Sequence, residues 1–178
     1  HMMLEKLVEN VFQFSAAKNY HQLRDITNAL IGDDGKLREF SDFKEAVEAI
    51  GYKFNSDWLE TEYHTAVGSA TSAARWVEYR KEADIFPMLR YETVGDNRVR
   101  AEHQLLDGIV KNIDSDFWKT YYPPNGYRCR CEALQEPASD AKETATPVHL
   151  PQVPPMFKTN LAESGLLFPK DHPYYDGV

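Results

Sequence analysis

Apolar residues recur at three- and four-residue spacing through the first half of the chain and at two-residue spacing only beyond it. Leu4, Leu7, Val8, Val11 and Phe12 share one helical face, as do Leu23, Ile26 and Leu30. The pattern predicts one long helix or two over 3–31, ended by Gly32-Asp33-Asp34-Gly35. Phe40, Phe43, Val47 and Ile50 predict a second helix over 37–50, with Gly51 as its stop. Asn55 or Ser56 can cap a third, longer helix over 57–84. Its predicted inner face carries Trp58, Leu59, Glu62 or Tyr63, Ala66, Ala70, Ala73 and Val77. Small residues between Ala66 and Ala74 admit a second helix at close range. Gly68 costs about 1 kcal/mol relative to alanine in a helix, which implies a packing reason there.

From Leu89 the period changes. Tyr91, Thr93 and Val94 suit a strand, and Gly95-Asp96-Asn97 a turn. Ala101 to Leu106 has short helical spacing and stops at Gly108. Ile109 to Ile113 alternates as a half-buried strand does. Asp114 or Ser115 can cap a short helix through Tyr121. Pro123-Pro124-Asn125-Gly126 forces a turn, with a positive φ expected at Gly126. Tyr127 to Leu134 then alternates again, as a strand. Phe117, Trp118, Tyr121, Tyr122 and Tyr127 should form a small core around that turn. Past Leu134 the composition shifts to a solvated linker over 136–147 and a Pro-rich extended run over 149–155. Met156-Phe157 and Leu166-Leu167-Phe168 read as apolar anchors of an arm that packs back on the domain or on a partner. The fold class is therefore α+β. A helical region (1–86) leads into a small α+β core with a short antiparallel sheet (87–136), then a linker and an extended Pro-rich C-terminal arm (137–178).

With 42% hydrophobic and 12% aromatic residues among 178, the chain can bury a core. A net charge of -8 and the absence of a long Lys/Arg run argue against a whole-surface nucleic-acid binder. No apolar run approaches the roughly 20 residues of a membrane span, and no secretory leader is recognisable. His1-Met2 before Met3 reads as a cloning remnant. The two cysteines, one residue apart, make no disulfide framework and point to a reduced chain.

The block from Val94 to Cys131 carries an ordered series of motifs. Val94, Gly95, Asp96, Arg98, Val99, Arg100 and His103 are followed by Leu106-Asp107-Gly108. Asp116, Phe117 and Trp118 come next, then Tyr122-Pro123-Pro124-Asn125-Gly126 and Cys129-Arg130-Cys131. This series closely resembles the C-terminal core of the Mu F-like minor head proteins of tailed phages and prophages, within the phage head-morphogenesis family. WLETEYHTAVGSA, RWVEYRKEADIFPMLRY and the closing His172-Pro173-Tyr174-Tyr175 are similar to that family too. The resemblance implies a minor head protein that associates with portal and capsid proteins and acts structurally in head assembly or DNA delivery. It would work in the host cytoplasm during assembly and reside in the virion head, with packaged DNA as a further candidate partner.

Three chemical readings compete within the block. His103, Cys129 and Cys131 are donors of the kind structural zinc takes. A strand holding Cys-x-Cys would offer both sulfurs on one side, with Asp96, His149 or His172 as fourth ligand. The alternative is two small core cysteines and a hydrogen-bonded core histidine. Second, Arg100 or Arg130 with Asp96 or Asp107 can hold the loops to the sheet. The functional counterpart is phosphate contact with packaged DNA by this charged block, which also contains Arg98, and acidic neighbours oppose it. Third, His103 and Asp107 at i, i+4 spacing, with Arg98 and Arg100, could serve a nucleic-acid-acting enzyme or toxin-related module. No nucleophile elbow, phosphate loop or paired catalytic carboxylate accompanies them, so a non-enzymatic structural role is the expectation. Trp118, Pro123, Pro124, Asn125 and Gly126 are expected to act as structural motif residues.

Overall fold

The computed structural model describes residues 2–139, 142–145, 147 and 149–178. His1 and part of the expected linker (residues 140, 141 and 146, with 148 beyond it) lie outside the described residues. Two long helices form the first half: α1 (Met2–Asn28) and α2 (Phe40–Tyr52), the latter running through a π-helical turn (Lys53–Asp57) into α3 (Trp58–Lys81). The second half holds β1 (Met88–Glu92), α4 (Ala101–Gln104), β2 (Val110–Asn112), α5 (Phe117–Tyr121) and β3 (Glu132–Glu136). The C-terminal arm contains 3-10 turns at Pro155–Phe157 and Pro173–Tyr175, with the short α6 (Leu161–Ser164) between them. The architecture is thus α+β, helical first and then built on one small antiparallel sheet.

Gly51 does not stop the second helix, and neither Asn55 nor Ser56 caps the third. All three lie within a continuous helical path, since Tyr52, Lys53 and Trp58 keep right-handed helical angles. The wide turn inserts an extra residue and swings Phe54 inward, to 1% exposure, against Trp58 and Tyr174. Burying a phenylalanine side chain contributes roughly 1.5–3 kcal/mol, more than a helical glycine costs. Gly68 has no close neighbour either. A Cβ there would meet nothing within 4 Å, so the expected packing reason is absent.

The buried faces of the long helices differ from those the apolar spacing predicts. On α1, Asn10, Phe14, Ala17 and His21 point inward, while Val8, Val11 and Leu23 are exposed, as is Leu30 just beyond the helix, and Phe12 is 74% exposed. On α3, Glu62 is buried and Trp58 and Ala66 pack on the core as expected, and Thr65 and Trp76 join them, whereas Leu59, Tyr63, Ala70 and Val77 face solvent. The cause is the returning arm, which offers polar partners to both helices. Asn10 Nδ2 donates to the Phe168 carbonyl (2.7 Å), and the Phe168 amide donates back to Asn10 Oδ1 (2.8 Å). Lys18 Nζ donates to Glu62 Oε2 at 2.7 Å, and the Tyr174 hydroxyl donates to Glu62 Oε1 at 3.1 Å. Buried polar groups need such partners, and apolar periodicity cannot register them.

Phe14, Ala17, Phe54, Phe168 and Tyr174 close a core between the helices and the arm. The Phe14 and Phe168 rings stack at 3.7 Å. The arm packs back on the domain as expected, but through short helical turns rather than as one extended run, and forms one wall of the helical half. Near its start, the Thr144 amide donates to the Val110 carbonyl (2.9 Å), so the outer edge of β2 is covered.

His172 sits at the centre of this wall. Its Nδ1 accepts from the Tyr174 amide, and its ring lies edge-on to Phe14. Burial, helped by the Lys18 charge, pulls its pKa down to about 4. The folded ring stays neutral where the unfolded ring, with a pKa of about 6.5, has already taken a proton. Stability present above about pH 6.5 is therefore lost as pH falls towards 4. His172→Asn keeps an acceptor for the Tyr174 amide and removes the titration. Denaturant midpoints of that variant should vary less with pH across this window than those of the parent. Equal slopes would show that His172 does not supply the dependence.

The sheet has the order β2-β1-β3, all antiparallel. Leu89 faces Lys111 on one side and Gln135 on the other, and Glu92 faces Glu132 where the β1–β3 ladder ends. Alternation along β1 turns Leu89 and Tyr91 into the main core with Trp76, Leu106, Ile109, Ile113, Trp118 and Tyr122. Trp76 comes from α3, and the Tyr122 hydroxyl donates to the Ser72 carbonyl at 2.8 Å, so the long helix and the sheet share one interior.

Candidate functional site

The motif block converges where the β1–β3 ladder runs out. Past Glu92 the chain leaves the sheet, so 127–131 have no strand to pair with. The run expected as strand from Tyr127 is irregular until Glu132. Within it Arg128 takes a left-handed φ of 54°, while Gly126, expected to need a positive φ, does not adopt one. What Gly126 permits is close approach: a Cβ there would lie 3.4 Å from the Arg100 guanidinium and 3.7 Å from His103 Nε2. The Arg100 guanidinium donates to the Tyr127 carbonyl at 2.6 Å, which pins the loop to the start of α4.

α4 is a single turn, anchored by fully buried Leu106 and followed by Gly108 at φ 74°. It presents buried His103 to the cysteine loop. His103 Nδ1 lies 3.6 Å from Cys129 Sγ and 3.5 Å from Cys131 Sγ. The three donor atoms fall within 4.8 Å of one another, and both cysteines are free. The sulfurs thus converge on one histidine although the segment is no strand; the Arg128 backbone conformation makes the turn between them and the preceding motif. Hydrogen bonding from Cys131, opposed by burial, lowers the Cys129 pKa, and the same pairing together with burial raises that of Cys131. One thiol is therefore poised to ionise ahead of the other.

None of the expected fourth ligands joins this trio. Asp96 is held by Arg130 in a two-pronged pair (2.7 and 2.8 Å), which pulls its carboxyl down to about 2. His149 is exposed, and His172 lies in the arm's core. Asp107 does not pair with His103 as a helical dyad. It lies past the end of α4, and its Oδ1 accepts from the Thr93 amide and hydroxyl at 2.7 and 2.8 Å. Arg98 is exposed on the turn that Asp96 closes by accepting from the Arg98 amide. The small cavity that joins His103 to Arg98, Arg100, Arg130 and the cysteines has a volume of about 20 Å³, room for roughly one water. A larger cleft of about 270 Å³ opens on the other side of His103, walled by Arg100, Tyr127 and the Pro-rich arm.

The PPNG turn is built around Asn125, which is 1% exposed. Its Oδ1 accepts from the Tyr91 hydroxyl at 3.0 Å, and its amide donates to the Thr120 and Tyr122 carbonyls at 3.3 and 3.4 Å. Pro123 is fully buried beside it, Pro124 half-buried, and the Pro123–Pro124 peptide is cis. Trp118 is 1% exposed and donates from Nε1 to the Asn112 carbonyl at 3.0 Å. The Asn125 backbone amide points at the Cys129 sulfur, and the Tyr91 hydroxyl, whose proton goes to Asn125, lies beside Cys131. Tyr91 and Asn125 thus brace the thiols as well as the turn. Strand alternation was the one sequence signal for Tyr91, since it places that residue inward with Leu89.

Fold and motif block together define a sheet module carried on long helices and strapped by a returning arm. The chain belongs to the family of Phage Mu protein F like proteins, whose profile matches residues 17–134. It is 39% identical over 85 residues to a protein of Escherichia phage Mu named "Putative capsid assembly protein F" (48% of this chain, 19% of that protein). It is 40% identical over 86 residues to the "Mu-like prophage FluMu F protein" of Haemophilus influenzae (47% of this chain, 21% of that protein). The matched stretch thus spans about a fifth of each relative's length. No solved structure matches the chain.

Proposed function

We propose that this chain acts structurally in phage or prophage head morphogenesis, through contacts with portal and capsid proteins. Family membership and the name of the phage Mu relative, a capsid assembly protein, support the class of role. The observation that carries the contact is the outward face of α3. Leu59, Tyr63, Val67, Ala70, Ala74 and Val77 follow one another at four- and three-residue steps, all exposed, with Tyr63 at 63%. An apolar seam of that period on a helix fits the groove of another helix. The helices (1–86) then supply contact, the core (87–136) holds the motif block, and the arm (137–178) straps the two together.

The role is non-enzymatic in this reading, because Asp107 is tied to Thr93 rather than paired with His103, and Arg98 meets His103 only across a cavity with room for about one water. Contact with packaged DNA is the lesser arm, since Asp96 already neutralises Arg130. No helix among the described residues is long and apolar enough to cross a membrane. Assembly in the host cytoplasm and residence in the virion head follow from the role.

Affinity capture from cells producing the phage tests this. The parent chain should recover portal or major capsid protein. A Tyr63→Glu, Val67→Glu variant with an unchanged melting temperature should recover at least about tenfold less, as expected where two buried anchors of a contact are lost. Recovery of neither protein by a folded parent chain contradicts the reading; equal recovery by both moves the contact off this face.

A further inference from the structure

We propose that His103, Cys129 and Cys131 form a zinc centre that staples the unpaired run before β3 to α4, with a water or small anion as the fourth ligand. The proposal does not depend on the assembly role. Its first support is distance. Zinc bonds sulfur at about 2.3 Å and imidazole nitrogen at about 2.0–2.1 Å, so a tetrahedral centre separates S from N by about 3.6 Å. The observed separations are 3.6 and 3.5 Å, one for each sulfur.

The second support is valence. Nδ1 has one lone pair, which serves one S–H donor. Here a single nitrogen is nearly equidistant from two sulfurs, the arrangement expected around a shared atom seated between all three. The other ring nitrogen lies beside Gly126, which leaves Nδ1 as the one directed at the sulfurs.

The third is preorganisation. Each ligand is set by a separate fixed element: His103 by α4 over buried Leu106, Cys129 by the left-handed Arg128, and Cys131 by the first rung of the β1–β3 ladder. The Asn125 backbone amide aims at the Cys129 sulfur, as an outer-shell donor to a thiolate does.

Two thiolates and an imidazole favour zinc among the common divalent ions. On binding, each thiol releases its proton to solvent, no electron moves, and the two thiolate charges balance the cation. The remaining position opens to the water-sized cavity lined by Arg98, Arg100 and Arg130, which suits a water, hydroxide or small anion.

Elemental analysis of the purified chain should find about one zinc per molecule. Metal-stripped protein should take up one Co(II) per chain with thiolate-to-cobalt charge-transfer absorption, and zinc should displace it. Zinc should also protect both thiols from alkylation. Cys131→Ser and His103→Gln should each weaken zinc affinity by at least about 100-fold, more than loss of an outer-shell group does. The cobalt spectrum of the parent chain reads the site even where a variant fails to fold. Folded parent protein without zinc that takes up neither ion stoichiometrically overturns the centre and leaves thiol–imidazole hydrogen bonds. Uptake without thiolate absorption, or unchanged in both variants, overturns it as well.

Discussion

Phe168→Ala should lower the stability of the chain by about 3–5 kcal/mol, the range for removing a buried aromatic ring. For a domain of this size that corresponds to about 6–20 °C in melting temperature. The Phe168 ring stacks on Phe14 at 3.7 Å with 9° between planes, in the core that also holds Phe54 and Tyr174. The substitution isolates the ring, because the Phe168 backbone keeps both bonds to Asn10. The cavity it leaves lies between α1 and the arm, where neither can collapse without breaking that pair. Thermal melts followed by circular dichroism read the effect. A fall of under about 2 °C, less than 1 kcal/mol, would mean that the arm does not close the helical core.

Asn125→Asp should be comparably severe, at about 3–5 kcal/mol near neutral pH, as for other uncompensated buried charges. Asn125 is 1% exposed and presents its amide group to the Thr120 and Tyr122 carbonyls. A carboxylate there has the same shape, but it turns an acceptor towards two carbonyl oxygens and puts a charge at a site that is 1% exposed. Burial would raise its folded pKa above the unfolded value of about 3.9. The stability gap to the parent should therefore narrow as pH falls and widen as pH rises through the raised pKa. Urea midpoints of both proteins across the acid range check this. A gap that is constant with pH would place the cost in lost hydrogen bonds alone.

The second half of the fold was the more legible in the sequence, and the reason is physical. Short elements there are punctuated by Gly108, the Pro-Pro-Asn-Gly turn and the Gly95-Asp96-Asn97 turn, which act locally. β1, α4, β2 and α5 accordingly fall within a few residues of their expected places. The Cys-x-Cys run was misread as strand because alternation cannot reveal where a ladder partner turns away. Glu92 and Glu132 mark that point. In the helical half, existence was readable and orientation was not. The inward face of α1 is chosen by Asn10 and His21 bonding to the backbone at Phe168 and Tyr174, more than 150 positions along the chain. No window of periodicity spans that distance.

The candidate site shows the same split. The residue types His103, Cys129 and Cys131 single themselves out as donors, and the structure brings them together. Asp107 and His149, plausible by spacing or chemistry, lie elsewhere because Thr93 and solvent claim them. Tyr91 and Asn125, which brace the thiols, look in sequence like ordinary strand and turn residues.

The most direct test of the assembly role is to quantify this chain in purified heads from cells producing its phage, with and without Tyr63→Glu, Val67→Glu. The account predicts that the parent chain is recovered in heads. The variant, equally stable, should be depleted from them, with a fall in infectious titre. Full-titre heads that lack the parent chain would contradict it.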